Sequence, residues 1–274
     1  MKSFFEKKPN ANRGFTLVEM AVVLVIIGLI LGAVSIGKDV QRNAEYAKIK
    51  QKFIDQWAVS YNAYVQRTGY PLGDRQQEPR YMVNGSNYNA TAGADAVVSG
   101  GNMSTATLPN AICHGAAGQR MSRPVQAPGT NGEFDLRNLM QRAGVRMPPG
   151  RAEGREDRYV YLDSNGNPQE IQVCFQWNNP TEPAGSGNVM VITGLTPDLA
   201  RSLDQMIDGK PDAREGVFRM QGIANTTANV AGVEWDVNNT QVYDATTNVG
   251  AIQLGDQLDE DQVQTIVAIY KMNQ

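Results

Sequence analysis

Eighteen consecutive residues without a formal charge, Met20–Gly37, constrain this chain more than any other feature of its 274 residues. Valine, isoleucine and leucine dominate the run, and Phe15–Met20 adds one more turn before it. At about 1.5 Å per residue, such a helix is about as long as the hydrocarbon core of a bilayer is thick. A helix satisfies its own backbone hydrogen bonds, so aliphatic side chains of this kind can face lipid on every side. The preceding segment, Met1–Gly14, carries Lys2, Lys7, Lys8 and Arg13 against Glu6, a net of +3. Positive charge beside an apolar helix holds that end in the cytoplasm. One carboxylate, Glu19, breaks the pattern inside the membrane-compatible helix. Insertion scales put its cost at about 2.5–3.5 kcal/mol, so the residue needs a purpose and a partner.

The order of features at the junction is specific. An ordinary secretory signal places its cleavage site after the apolar run, behind small residues. Here the small residue at the basic-to-apolar junction, Gly14, precedes the run. The string Arg13-Gly14-Phe15-Thr16-Leu17-Val18-Glu19-Met20 resembles the class III signal of type IV prepilins and type II secretion pseudopilins. The resemblance implies cleavage between Gly14 and Phe15 by prepilin peptidase, a membrane aspartic peptidase, and methylation of the new Phe15 amine. The apolar helix would then stay on the mature chain. In that family the carboxylate corresponding to Glu19 pairs with the terminal amine of a neighbouring subunit. Two charges that are costly alone can offset one another in low dielectric. The implied partners are the peptidase, other copies or related pilins, an inner-membrane assembly platform, and lipid before assembly. The implied location is the bacterial inner membrane, single-pass with the C-terminal part on the periplasmic side, and then an extracellular or periplasmic filament. One departure is Ile36, which stands where many members carry a helix-softening proline. Gly28, Gly32 and Gly37 are the residues left to soften the helix or admit close packing.

Beyond Lys38 the pattern becomes amphipathic. Tyr46, Ile49, Phe53, Trp57, Tyr61 and Tyr64 recur at spacings of three or four, one face of a helix. Gly69 and Pro71 supply its end. The sequence therefore divides into a leader (1–14), a membrane or filament-core helix (15–37), a second half of the same helix (38–69) that buries its aromatic face, and an α+β head (70–274). The head is expected to be pilin-like, with the helix packed on an antiparallel sheet. Tyr70-Pro71-Leu72-Gly73-Asp74 reads as the closing turn, since proline fixes the chain direction and glycine permits tight reversal.

Within the head, the stretch from Asn84 to Asn110 is rich in Gly, Ala, Asn, Ser and Thr and reads as a surface connection. Glu133–Ala143 reads as a short helix with Phe134, Leu136, Leu139 and Met140 available for packing. Tyr159–Leu162 and Glu170–Phe175 read as strands joined by Ser164-Asn165-Gly166-Asn167, a hairpin signal. Asn188–Ile192 reads as a third strand. Thr196, Pro197 and Asp198 form a helix start, by capping, fixed φ and charge respectively. Leu199, Leu203 and Met206 are its expected buried stripe, and Gly209 its end. Leu203–Pro211 resembles an Ile-Asp-Asp-Gly-Lys-Pro pattern in the heads of some larger prepilin-like proteins. Val233–Val237 alternates as a strand does. Asp259–Gln262 looks like a capping box before Val263, Ile266, Val267 and Tyr270, which predicts a short amphipathic C-terminal helix.

Removing the leader takes the formal charge from −3 to −6, because the leader carries +3. An acidic chain argues against general nucleic-acid binding through a basic patch, so no direct nucleic-acid contact is expected. The two cysteines, Cys113 and Cys174, both fall on the trans side of the membrane, where disulfides form. The expectation is that they pair; two free buried thiols are the alternative. A loop of roughly 60 residues would contribute about 4 kcal/mol by chain entropy. Asp163-Ser164-Asn165-Gly166-Asn167 with Glu170 places oxygen ligands at alternating positions, as calcium loops do, but Gly166 sits too early for the twelve-residue pattern. A plain hairpin turn is the preferred reading, and no metal or other cofactor is expected.

Catalysis finds little support. The chain has no Gly-x-Ser-x-Gly, zinc spacing or phosphate loop. It has one histidine, His114. Glu153, Glu156, Asp157 and Asp163 read as solvated surface charges. The leading expectation is a non-enzymatic filament subunit serving adhesion, motility, DNA uptake or secretion. A type II secretion pseudopilin is the alternative within the family. A membrane-anchored adhesin, sensor or enzyme that keeps Met1–Gly14 is the alternative outside it.

Overall fold

The computed structural model describes residues 17–87, 118–119, 121, 135–178, 180, 182, 184–223, 232–235, 240–243, 257–263 and 265–272. The chain divides into two compact units, Met1–Glu45 and Tyr46–Gln274. Helix α1 spans Leu17–Ile49. A π-helical segment, Lys50–Ile54, follows directly, and α2 continues over Asp55–Thr68. The expected long helix is therefore present without a break from Leu17 to Thr68.

The π segment explains how the aromatic face stays in register. Its wider turn, closed by the Asp55 N–H on the Lys50 carbonyl, accommodates one extra residue. Phe53 and Ile54 are both buried as a result, although successive residues of a regular helix diverge by 100°. The same widening brings Lys50 over Asp55, where its Nζ donates to Oδ1 at 3.0 Å and Oδ2 at 2.8 Å. Gly69 ends α2 in the left-handed region at φ 80°, with its N–H on the Val65 carbonyl at 2.8 Å. The chain then turns inward: Leu72 is buried, and the Asp74 carboxylate accepts from the N–H groups of Arg75, Arg80 and Met82. Val83 and Asn84 are buried, so the expected surface connection does not begin at Asn84. The Asn84 amide oxygen accepts from Gln119 Nε2. Residues 88–110 of that connection lie outside the described residues.

Short helix α3, Leu136–Arg142, lies where Glu133–Ala143 is expected. Asp135 caps it, accepting from the Asn138 N–H at 2.6 Å. Leu136, Leu139 and Met140 are buried, while Phe134 lies outside the described residues.

The sheet is antiparallel throughout. Its strands are β1 (Gly118–Gln119), β2 (Arg158–Leu162), β3 (Pro168–Asn178), β4 (Gly187–Leu195), β5 (Phe218–Met220) and a last strand, Ile266–Lys271. Between them in sequence, β6 (Thr240–Tyr243) and β7 (Gln257–Val263) form a separate two-stranded ribbon, which makes the last strand β8. The order across the sheet is β1-β3-β4-β8-β5, with β2 also pairing to β3. The hairpin is the expected one, with Leu162 opposite Pro168 and Gly166 at φ 85° in the turn. A bulge interrupts the β4–β8 register between Ile192 and Leu195. Gly194 sits in it at φ 77°, and a Cβ there would come within 2.0 Å of the Glu170 carbonyl oxygen. No other residue type fits that point.

The core lies between the aromatic face of the helix and one face of the sheet. Tyr61 stacks on Phe175 with centroids 5.0 Å apart, Trp57 meets the same ring at 6.0 Å, and Phe53 meets Tyr159 at 5.4 Å. All six of the aromatic and aliphatic positions from Tyr46 to Tyr64 named above are buried, as their spacing predicts. Trp57 also donates from Nε1 to the Glu156 carbonyl at 3.2 Å, which satisfies its polar edge.

The structure corrects four further expectations. The C-terminal segment is strand, not helix: Ile266–Lys271 runs between β4 and β5. Ile266, Val267, Ala268 and Ile269 are buried in succession, so both faces of the strand are covered. A run of β-branched residues buried on both sides satisfies helical spacing by chance, and tertiary pairing decides. In Val233–Val237, the described residues Val233, Glu234 and Trp235 are not strand. Met206 is 36% exposed, and Asp204 takes its place among the buried residues of the fourth helix, α4 (Pro197–Ile207). Asp157 and Asp163 are buried rather than solvated.

Candidate functional site

The candidate site is the apolar helix and its single carboxylate. Residues 17–34 of α1 are all exposed, with Leu17 at 86% and Leu29 at 70%. Nothing in the described residues covers this stretch, and none of its most apolar 18-residue window is buried. By length and composition the helix can cross a membrane. A helix that is aliphatic all round is stable only where lipid or other apolar helices surround it. Glu19 lies in the first turn of the described helix and is exposed. Gly28, Gly32 and Gly37 have open space where a Cβ would stand, so another backbone can approach closely at each. The polar end is marked by Asp39 and Arg42, paired at 3.2 Å.

Gly14 and Phe15 lie outside the described residues, so the expected scissile bond and methylated amine are placed by sequence alone. Glu19 is the described member of that set. Cys174 is buried with Ala184, Val189, Val191, Val267 and Ile269, on the sheet face away from α2. It is not a free thiol. Cys113 lies outside the described residues.

The hairpin loop that prompted the calcium comparison is held by its own donors. Asp163 Oδ1 accepts from the N–H groups of Asn165 at 2.9 Å and Asn167 at 2.8 Å, and Oδ2 accepts from Gln169 Nε2 at 3.0 Å. Glu170 is drawn elsewhere, into ion pairs with Arg151 and Arg158. Among the described residues no three acidic, His or Cys side chains converge as a metal site.

The remaining carboxylates have structural partners. Glu153 pairs with Arg137 at 3.0 Å. Asp157 accepts from Gln172 Nε2 at 2.9 Å. Burial pushes its carboxyl above the usual range, opposed by the Gln172 hydrogen bond and by Arg158. Burial also raises Tyr161, to about 12, while its hydroxyl donates to the Gly194 carbonyl and accepts from the Thr196 N–H, each at 3.0 Å. That hydroxyl joins the bulge to the start of α4, a bridge that no sequence pattern announces. Burial is visible only when the sheet is assembled.

The family model for the prokaryotic N-terminal methylation motif matches residues 9–35. The match covers Gly14, Phe15, Glu19 and most of the charge-free run. No curated protein and no solved structure matches the chain.

Proposed function

We propose that this chain, which carries a prokaryotic N-terminal methylation motif, is a structural subunit of a type IV pilus-type filament. The observation that carries the reading is the continuity of that motif with a helix whose apolar surface is entirely exposed. The precursor sits in the inner membrane through this helix. Prepilin peptidase cuts after Gly14 and the Phe15 amine is methylated. The helix then leaves lipid for a bundle of equivalent helices, exchanging one apolar environment for another. Because that exchange gains little from the hydrophobic effect, specific contacts set the register. Glu19 against the Phe15 amine of a neighbour supplies such a contact, and repetition of one heterologous contact gives an open helical polymer. The Cys113–Cys174 disulfide is part of this reading and belongs to the periplasmic side.

The test is Glu19→Val in the native cell. The variant is expected to insert in the membrane and to be processed as the parent is, while filament yield falls at least about tenfold, the scale of a lost 1.4 kcal/mol per contact. Normal filament yield from Glu19→Val would sink the assembly role of the carboxylate.

A further inference from the structure

The segment Leu203–Pro211, with its aspartates at four-residue intervals continued by Asp212, has no part in the filament reading. In the structure its carboxylates stitch four pieces of chain together. Asp204, on the last turn of α4, is fully buried and accepts from Trp235 Nε1 at 2.8 Å through Oδ2. Its Oδ1 has no hydrogen-bond donor among the described residues. Asp208, one turn on, accepts through Oδ2 from the N–H groups of Val217 at 3.0 Å and Phe218 at 2.8 Å. Gly216 passes so close that a Cβ would stand 2.2 Å from that oxygen. Asp212 accepts from Arg214 and Val233 N–H groups and pairs with Lys210. Trp235 is itself buried, with its ring 5.3 Å from Phe218.

A buried carboxylate with one N–H donor is poorly solvated when ionised, and a second carboxylate one helical turn away adds a like charge. A proton on Asp204 removes both penalties and turns the unpartnered oxygen into a donor. From this arrangement we infer that Asp204 holds a proton beside Asp208, and that the protonated Asp204 is an acid-closed clasp holding Trp235 against α4.

Burial lifts the Asp204 carboxyl to about 7 from the ordinary 3.8; the Trp235 N–H opposes this and the Asp208 charge adds to it. Among the described residues, few other titratable or charged groups surround the pair. Tyr270, on β8, faces Asp208, and its hydroxyl is raised by burial, then by Asp55 and Asp208. Lys210 reaches Asp212 and Glu215, and Arg201 reaches only the Trp235 carbonyl, at 3.5 Å. The folded chain thus holds the Asp204 proton more tightly than the unfolded chain does. The stabilisation is complete below pH about 4 and is lost as pH rises through about 7.

The experiment uses the full chain in detergent micelles with ¹⁵N-labelled tryptophan, the Trp235 indole signal being assigned by its loss in Trp235→Phe. The indole resonance is expected to titrate with a midpoint near pH 7, to move to a lower midpoint in Asp208→Asn, and to stay fixed in Asp204→Asn. The melting temperature of the parent is expected to fall by roughly 5 °C from pH 5 to pH 8, and that of Asp204→Asn to stay level. An indole signal that does not move between pH 5 and pH 9 overturns the clasp, as does one that titrates unchanged in either variant. If Asp204→Asn fails to fold, the parent titration and Asp208→Asn decide.

Discussion

Two stretches of the same helical run solve opposite problems. Residues 17–37 are aliphatic on every side, and none of the large apolar residues among them is covered in the structure. Residues 46–64 are aromatic on one side and polar on the other, and that aromatic side is buried against the sheet. The first stretch has no preferred face, so no single partner surface can satisfy it; it requires a medium, either lipid or a surrounding bundle. The second has one face and one partner, carried on the same chain. All-round and one-sided apolarity are thus two different statements about what lies outside the protein. The lone carboxylate sharpens the contrast. In the second stretch Asp55 is satisfied at once by Lys50. In the first, Glu19 is the only acidic residue between Phe15 and Gly37.

The contrast can be broken first at Trp57. Removing a fully buried tryptophan from the one-sided face should cost about 3–5 kcal/mol. Trp57→Ala is therefore expected to lower the thermal unfolding midpoint of the C-terminal unit steeply, while membrane insertion and processing at Gly14 continue. Loss of insertion in this variant would show that the two stretches do not depend on separate surroundings. A smaller effect is expected at the cysteines. The Cys113–Cys174 disulfide of the proposed reading predicts that Cys174→Ser and Cys113→Ser each destabilise by about 2–4 kcal/mol, and the double variant by no more than either alone. Denaturant unfolding of the purified chain, with and without reductant, measures this. Additive losses would mean two separate thiols.

Where the sequence was legible, one local rule decided the outcome. The helix from Leu17 to Thr68, its Gly69 end, the Asn-Gly hairpin and the Thr196–Pro197 start of α4 each follow from a few adjacent residues. The junction of charge, glycine and apolar run is likewise contiguous, and the methylation-motif family model matches across it. The elements that were misread depend on distant partners. Ile266–Lys271 is a strand because β4 and β5 flank it, although its spacing also fits a helix. Asp204 replaces the expected Met206 on the buried side of α4, where Trp235, 31 residues away in sequence, donates to it. The π segment escaped because inserting one residue leaves spacings of three and four intact on either side of it. Asp157 looked like a surface charge because Gln172, its partner, is buried only once β3 is paired on both edges.

The central claim is that the all-round apolar helix belongs to a processed, polymerising subunit rather than to a static anchor. Intact mass and N-terminal sequencing of the protein from its native membrane and filament fractions test this most directly. The account predicts a chain of 260 residues, the full 274 less the leader, beginning at N-methylated Phe15. A chain that keeps Met1–Gly14 in cells with active prepilin peptidase would contradict it.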